Sequence, residues 1–377
     1  MNLQNLEIMK QIKKIIIALL VLACWSQLAE AYNYFTINFN DGTRSDPFYT
    51  IEVDSIRYSK FDINNVEQSN WAVQEIWTAN NVFRYPISDI EGISFAQGEK
   101  HNLPSGHLKV LAIGNSFVDG PMAYFDAIVR ASGIDRDQLC VYSAVKSSAS
   151  LEYWATTCEN GDSVSISRRS GAITMPTTRA PLKELLEQDW DVVTVQQVST
   201  LSQKPNSLSP YLSYLVNQIR KHCPNKDVVI AWQQVWSKWY EDTGMEKSLQ
   251  DWENINSVVR ITPGYGVDMI IPTGTAIQNA RATELNTPHG LTRDSGHLAY
   301  GVGRYVAACT WFEALLAPVF GVSVVGNTAV HAITDAEQEN SVYEAVSVTD
   351  ENRTLCQQCA AAAVNSPFEV TEIVNNE

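Results

Sequence analysis

The sequence predicts an α/β fold: a three-layer αβα sandwich around a five-stranded, mostly parallel sheet, preceded by a small β-rich module. Three observations carry this expectation. Five short apolar runs recur between residues 108 and 271, and each is continuous rather than alternating, as in strands covered on both faces. Helix-type segments fall between them. Residues 33 to about 96 instead alternate apolar and polar positions with a period of two, broken by turn residues.

Taken in order, the alternating region begins with Phe35-Thr-Ile-Asn-Phe-Asn, and Asp41-Gly42 marks a turn. Tyr49-Thr-Ile-Glu-Val, Asp54-Ser-Ile-Arg-Tyr, Asn81-Val-Phe-Arg-Tyr and the run from Ile87 to Phe95 follow as short strands. This module, residues 32–96, carries no catalytic cluster and reads as a spacer or docking unit. Residues 97–107, polar with Gly and Pro, read as a linker. The strands of the larger domain, residues 108–320, are Leu108–Ile113, Leu139–Val145, Asp191–Val195, Asp227–Trp232 and Asp268–Ile271. The helices are Pro121–Ala131 with Gly133 as a stop, Ala180–Gln188, Pro210–His222, Gly244–Arg260 and Tyr300–Leu316. Pro181 and Pro210 sit where first-turn prolines belong. Residues 321–377 form an extension, with a helix-like stretch over Asp350–Val364, expected to pack on the larger domain.

The 377 residues are 45% hydrophobic and 18% charged, enough for a large core. The formal net charge is -15, and no basic cluster occurs beyond the extreme N-terminus. Nucleic acid is therefore not an expected partner, because phosphate binding needs concentrated positive charge. Lys10, Lys13 and Lys14 precede an apolar run from Ile15 to Trp25, too short to span a bilayer comfortably. Two readings of this leader stand. Ala29-Glu30-Ala31 fits a small-x-small cleavage site, giving a signal peptide over 1–31. Val21-Leu22-Ala23-Cys24 instead resembles a lipobox, with surface or membrane association through a lipidated Cys24. The first is preferred, since Trp25 follows Cys24 and a conventional site lies just beyond. Either way the protein is expected to be exported in a Gram-negative-type bacterium, to the periplasm, cell surface or medium. Cys140 and Cys309 lie in apolar runs and read as buried small residues. Cys356-Gln-Gln-Cys359 lacks a partner pair or nearby His and is weak as a zinc site.

The chemistry concentrates in two motifs. Gly114-Asn115-Ser116-Phe117 directly follows the first apolar strand, placing a hydroxyl at a strand tip beside a helix N-terminus, where backbone N–H groups stabilise an oxyanion. Catalytic groups in parallel α/β sheets lie beyond the carboxyl ends of the strands. Far downstream, Asp294-Ser295-Gly296-His297 offers a base three residues from a carboxylate that can fix its tautomer. Each motif alone is common, but their order and placement on the strand-helix pattern make Ser116, His297 and Asp294 a nucleophile, base and orienter. Trp232, Gln233, Trp236, Trp239 and Tyr240 follow the fourth strand and suit a sugar ring, or else pack in the core. Asn115, Trp232 and Gln233 are the expected substrate contacts. His289 and His297 lack a third ligand, so no metal site is expected, and no organic cofactor is required.

With these residues in view, segment 108–316 resembles the SGNH (GDSL-like) hydrolase superfamily, and more closely an exported bacterial branch with Gly-Asn-Ser-Phe in place of Gly-Asp-Ser. Further support comes from Trp190-Asp-Val-Val-Thr-Val-Gln-Gln197, Pro272-Thr-Gly-Thr-Ala-Ile-Gln278 and Leu291-Thr-Arg-Asp-Ser-Gly-His-Leu298. The resemblance implies a flavodoxin-like sandwich and a Ser116–His297–Asp294 serine esterase. It also implies an oxyanion hole from the N–H of Ser116, a second-block N–H and a third-block side chain. The second block, Lys146-Ser147-Ser148-Ala149, has serines where the branch has glycines, and the third has Gln196-Gln197 and Ser199 without asparagine. Ser148 and Gln197 are the expected donors, with Ser147 and Ser199 as alternatives. The expected substrate is a small-molecule or glycan ester, with O-acetyl groups on carbohydrate as the best candidate. The rival from another class is a non-catalytic glycan- or surface-binding protein that kept the fold.

Overall fold

A computed structural model describes residues 34–78, 81–96, 101–294 and 296–373. The leader, with its cleavage and lipobox readings, and the start of the linker at 97–100 lie outside the described residues. The chain divides into two compact units, one of residues 1–100 with Gly264–Gly266, the other of His101–Pro263 and Val267–Glu377.

The first unit holds β1 (Tyr34–Phe39), β2 (Phe48–Tyr49), β3 (Val53–Ser59), β4 (Val73–Thr78), β5 (Val82–Pro86) and β6 (Ile90–Ala96). They form two antiparallel three-stranded sheets, ordered β2-β1-β6 and β3-β4-β5. The period-two pattern turns Phe35 and Ile37 inward, where they meet Phe48, Val53, Ile56, Ile76 and Ile90. β4 was not among the expected strands, although Val73 and Ile76 also point inward.

The second unit is built on one seven-stranded sheet: β7 (Leu108–Gly114), β8 (Leu139–Val145), β9 (Ser163–Gly171), β10 (Arg179–Pro181), β11 (Val192–Val195), β12 (Val229–Gln233) and β13 (Met269–Ile271). The order is β10-β9-β8-β7-β11-β12-β13. The five expected strands, β7, β8, β11, β12 and β13, are parallel and lie in the flavodoxin-like order 2-1-3-4-5. β9 and β10 add an antiparallel edge. The helix expected over 180–188 is therefore a correction: its first residues are strand β10, and only α3 below is helical. Pro181 ends the edge strand, a place where the missing N–H costs little.

Helices α1 (Ser116–Ala131), α2 (Leu151–Asn160), α3 (Leu182–Leu186), α4 (Tyr211–His222), α5 (Gly244–Val259), α6 (Thr273–Arg281), α7 (Val302–Trp311), α8 (Ala317–Phe320), α9 (Asp335–Glu339) and α10 (Arg353–Asn365) complete the unit. A π-helical turn, Phe312–Leu316, continues α7. α2, α3 and α4 pack together in one layer, and α1, α6, α7 and α10 pack together in the other. The C-terminal extension belongs to this unit. Gln357 on α10 donates to the Tyr305 hydroxyl on α7 (3.0 Å) and to the Asn327 carbonyl (2.7 Å). Cys140, Cys158, Cys223, Cys309, Cys356 and Cys359 are all buried free thiols. Among the described residues no helix is long and apolar enough to cross a membrane.

Candidate active site

β7 ends at Gly114, and α1 starts two residues later. The chain can turn this tightly because Gly114 has no side chain: a Cβ there would lie 2.6 Å from a Val118 methyl and 2.8 Å from the Gln196 amide carbon. Asn115 caps α1. Its Oδ1 accepts from the Phe117 N–H (3.0 Å), and its carbonyl accepts from the Val118 N–H (2.8 Å). The Ser116 N–H is left without a hydrogen-bond partner among the described residues, at the positive end of the helix dipole.

The Asn115 side chain is 1% exposed and fully engaged. Its Nδ2 donates to the Ala149 carbonyl (2.9 Å), and its Oδ1 also accepts from Gln196 Nε2 (2.6 Å). Gln233, completely buried at the end of β12, donates to the Phe117 carbonyl at 2.7 Å. That carbonyl is available because Pro121, four residues on, has no N–H to give it. The strand ends on either side of β7 and one strand further thus hold the serine turn from three directions. Asn115, Trp232 (3% exposed) and Gln233 are therefore framework rather than substrate surface: all three are buried, and the Asn115 and Gln233 amides are spent on the serine turn.

The hydroxyl this turn presents meets the distant motif. Ser116 Oγ lies 2.9 Å from His297 Nε2, and His297 Nδ1 lies 2.8 Å from Asp294 Oδ2. The Asp294 loop is self-organised. Asp294 Oδ1 accepts from the backbone N–H of His297 (2.7 Å) and of Gly296 (3.2 Å), and Arg293 N–H donates to the His297 carbonyl (2.9 Å). Trp236 then clamps the loop to the serine turn. Its indole N–H donates to the Gly296 carbonyl (2.7 Å), and its ring stacks on Phe117 with centroids 4.2 Å apart. Partial burial works to raise the Asp294 pKa, but the backbone and ring hydrogen bonds of His297, the His297 charge and the Gly296 N–H outweigh it, so the carboxyl titrates below its ordinary range. The imidazole is about one-third exposed, so a substrate can reach the pair.

The expected oxyanion donors fare differently. The turn 146–149 is joined to β7 by the Lys146 N–H donating to the Gly114 carbonyl (3.1 Å) and is closed by the Ala149 N–H donating to Lys146 (3.1 Å). Ser148 is exposed in that turn with φ +58°, a left-handed conformation that favours glycine. Its N–H has no partner among the described residues. Gln197 is a correction: its amide nitrogen donates to the Ser207 carbonyl (3.0 Å) and hydroxyl (3.1 Å), and its oxygen accepts from Leu151 and Val198. It braces the loop after β11 and has no donor left for substrate. Gln196, given no site role from sequence, and Trp236, expected to meet a sugar ring or pack in the core, touch the serine turn directly. For Gln196 the available signal was the Gln-Gln pair that recurs at the ends of β11 and β12. Among the described residues no cluster of three or more His, Cys, Asp or Glu side chains could hold a metal ion.

A further support sits behind the base. Arg281, 2% exposed at the end of α6, donates to the carbonyls of Gly290 (2.9 Å) and Ser237 (3.0 Å) and to the hydroxyls of Ser237 (2.7 Å) and Ser248 (2.6 Å). Burial pushes its pKa down to about 9. It ties the Trp236–Trp239 loop to the turn that leads into Asp294.

A family model described as a domain of unknown function, DUF4886, matches residues 109–345. The chain belongs to the DUF4886 family. A DUF4886 protein from Bacteroides uniformis ATCC 8492 is 29% identical, with a TM-score of 0.57 over 71% of this chain and 98% of that one. An acetyl xylan esterase variant from Geobacillus stearothermophilus is 14% identical, with a TM-score of 0.38 over 61% of this chain and 99% of that one. A carbohydrate acetylesterase from Xanthomonas citri is 11% identical, with a TM-score of 0.30 over 75% and 68%. No curated protein matches the sequence.

Proposed function

We propose that this DUF4886 protein is an exported SGNH-type serine esterase that removes a small acyl group, an O-acetyl, from a carbohydrate. The observation that carries the reading is the continuous relay from Ser116 Oγ through His297 to Asp294, at 2.9 and 2.8 Å. The export part rests on the Lys10–Ala31 leader alone.

His297 Nε2 takes the Ser116 proton as Oγ bonds to the ester carbonyl carbon. Asp294, kept ionised, holds Nδ1–H and stabilises the imidazolium. The oxyanion is met by the Ser116 N–H and the Ser148 N–H, one at a helix start and one in a left-handed turn. As the carbonyl re-forms, the C–O bond to the alcohol breaks and His297 gives that oxygen its proton. Water then gives a proton to His297 while its oxygen attacks the acyl carbon. The C–Oγ bond breaks, Ser116 recovers the proton, and acetate leaves. The third oxyanion donor expected from sequence is spent on Ser207; one missing donor costs about 10²–10³ in rate, so slow turnover is expected.

The test is hydrolysis of 4-nitrophenyl acetate and of an acetylated sugar by wild type, Ser116→Ala and His297→Ala. Turnover by wild type that disappears in both variants supports the esterase. Equal turnover in all three refutes it and leaves the fold as a binding scaffold.

A further inference from the structure

A cavity of about 270 Å³ opens between the loop that follows β11 and the loop that follows β12, on the same carboxyl rim as Ser116. Ser199, Thr200 and Gln203 line one side, and Trp236, Lys238 and Tyr240 the other. Trp236 is shared with the relay, since the same indole stacks on Phe117 and bonds the Gly296 carbonyl. The cavity therefore begins one side chain away from the Ser116–His297 pair.

Its chemistry is specific. The volume lies just below the roughly 300–1,000 Å³ typical of drug-sized ligand sites, which suits one sugar ring. The Ser199 and Thr200 hydroxyls and the Gln203 amide nitrogen make no side-chain hydrogen bond among the described residues. The Gln203 oxygen is already taken by Asn254 (3.2 Å). Tyr240 is 38% exposed and lines the cavity with an aromatic ring, over which the Lys247 ammonium lies 5.8 Å from the centroid. No Asp or Glu lines the cavity. Asp251, which accepts from the Tyr240 hydroxyl behind that wall, is matched by Lys247. Lys238 has no ion pair among the described residues, in a chain with 42 acidic and 27 basic side chains. A half-buried lysine that lines a cavity holding no carboxylate is free to meet a ligand's negative charge there. The polar lining also disfavours a long acyl chain.

We infer that this cavity is the subsite for the alcohol part of the substrate and takes a single sugar ring bearing a carboxylate, with Lys238 reading the charge and Ser199, Thr200 and Gln203 reading the hydroxyls. The inference rests on the esterase reading for its place in catalysis, but not for binding. The experiment compares kcat/KM for an O-acetylated methyl glucuronoside and the matching O-acetylated methyl glucoside in wild type, Lys238→Gln and Lys238→Arg. Each protein's ratio is its own control for folding. Wild type should favour the acidic sugar roughly tenfold, as one charge-assisted hydrogen bond provides. Lys238→Gln should bring the ratio near one, and Lys238→Arg should keep it. A ratio near one in wild type, or a ratio unchanged in Lys238→Gln, overturns the inference. Should wild type cleave no ester at all, the esterase reading fails. Calorimetric binding of glucuronate against glucose to the same proteins then decides the pocket: charge-dependent preference lost in Lys238→Gln supports it, and equal binding refutes it.

Discussion

Replacing Asn115 tests how the serine is held. Asn115→Ala removes three bonds at a site 1% exposed, orphaning the Phe117 N–H, the Gln196 amide and the Ala149 carbonyl. An unsatisfied buried group costs about 1–3 kcal/mol, and the three share one site, so about 3 kcal/mol is the expected loss. Asn115→Asp keeps both acceptor bonds and the favourable helix-start charge, but sets an oxygen against Ala149 O at the 2.9 Å now spanned by a hydrogen bond. About 1–2 kcal/mol is expected there. Urea unfolding midpoints should rank wild type, Asp, then Ala. Turnover of an activated acetyl ester should fall about a hundredfold in Asn115→Ala, because a misplacement of the nucleophile on the ångström scale is that costly. An alanine variant as stable and as active as wild type would refute the proposed frame.

Asp294→Asn should lower kcat/KM roughly 10³–10⁴-fold with little change in fold. An asparagine Oδ1 can keep both backbone bonds, which turns its NH₂ toward Nδ1 and leaves Nε2 protonated, unable to accept from Ser116; pH-rate profiles of both proteins check it. Arg281→Met should cost about 3 kcal/mol or more, since two carbonyls and two hydroxyls lose their buried donor, and Arg281→Lys should recover only part, one ammonium being unable to span them; thermal unfolding measures both. Glu337 accepts from Tyr124 (3.0 Å) and bonds His331 (2.9 Å) and the Thr334 N–H (3.0 Å). Burial raises its pKa, but these bonds prevail and lower it below 4.5. Its stabilisation is therefore full above about pH 4.5 and fades as pH falls through the depressed value. The stability gap between wild type and Glu337→Gln should shrink as pH falls through that window.

The parallel sheet was legible because its five strands are buried on both faces and read as unbroken apolar runs. The edge was less so. β9 does alternate, with Val164 and Ile166 inward, but its Arg168-Arg169 pair and four serines break up the apolar signal, and β10 is three residues ending in a proline that also resembles a helix start. Ser116, Asp294 and His297 were legible because strand-tip serine and Asp-x-x-His are local patterns whose distant pairing the fold order supplies. Which polar side chain faces the cleft is not a local property. Asn115, Gln197 and Gln233 sit at strand ends as expected, yet each faces inward, since the carbonyl freed by Pro121 and the loop at Ser207 lie there. Trp232, within β12 and paired on both sides, is buried as well.

The central claim, an activated serine at 116, is tested most directly by mass spectrometry after treatment with a fluorophosphonate. The expected result is a single adduct on Ser116, absent in Ser116→Ala and formed at least about a thousandfold more slowly in His297→Ala. Protein that stays unmodified, or an adduct on any other residue, would contradict it.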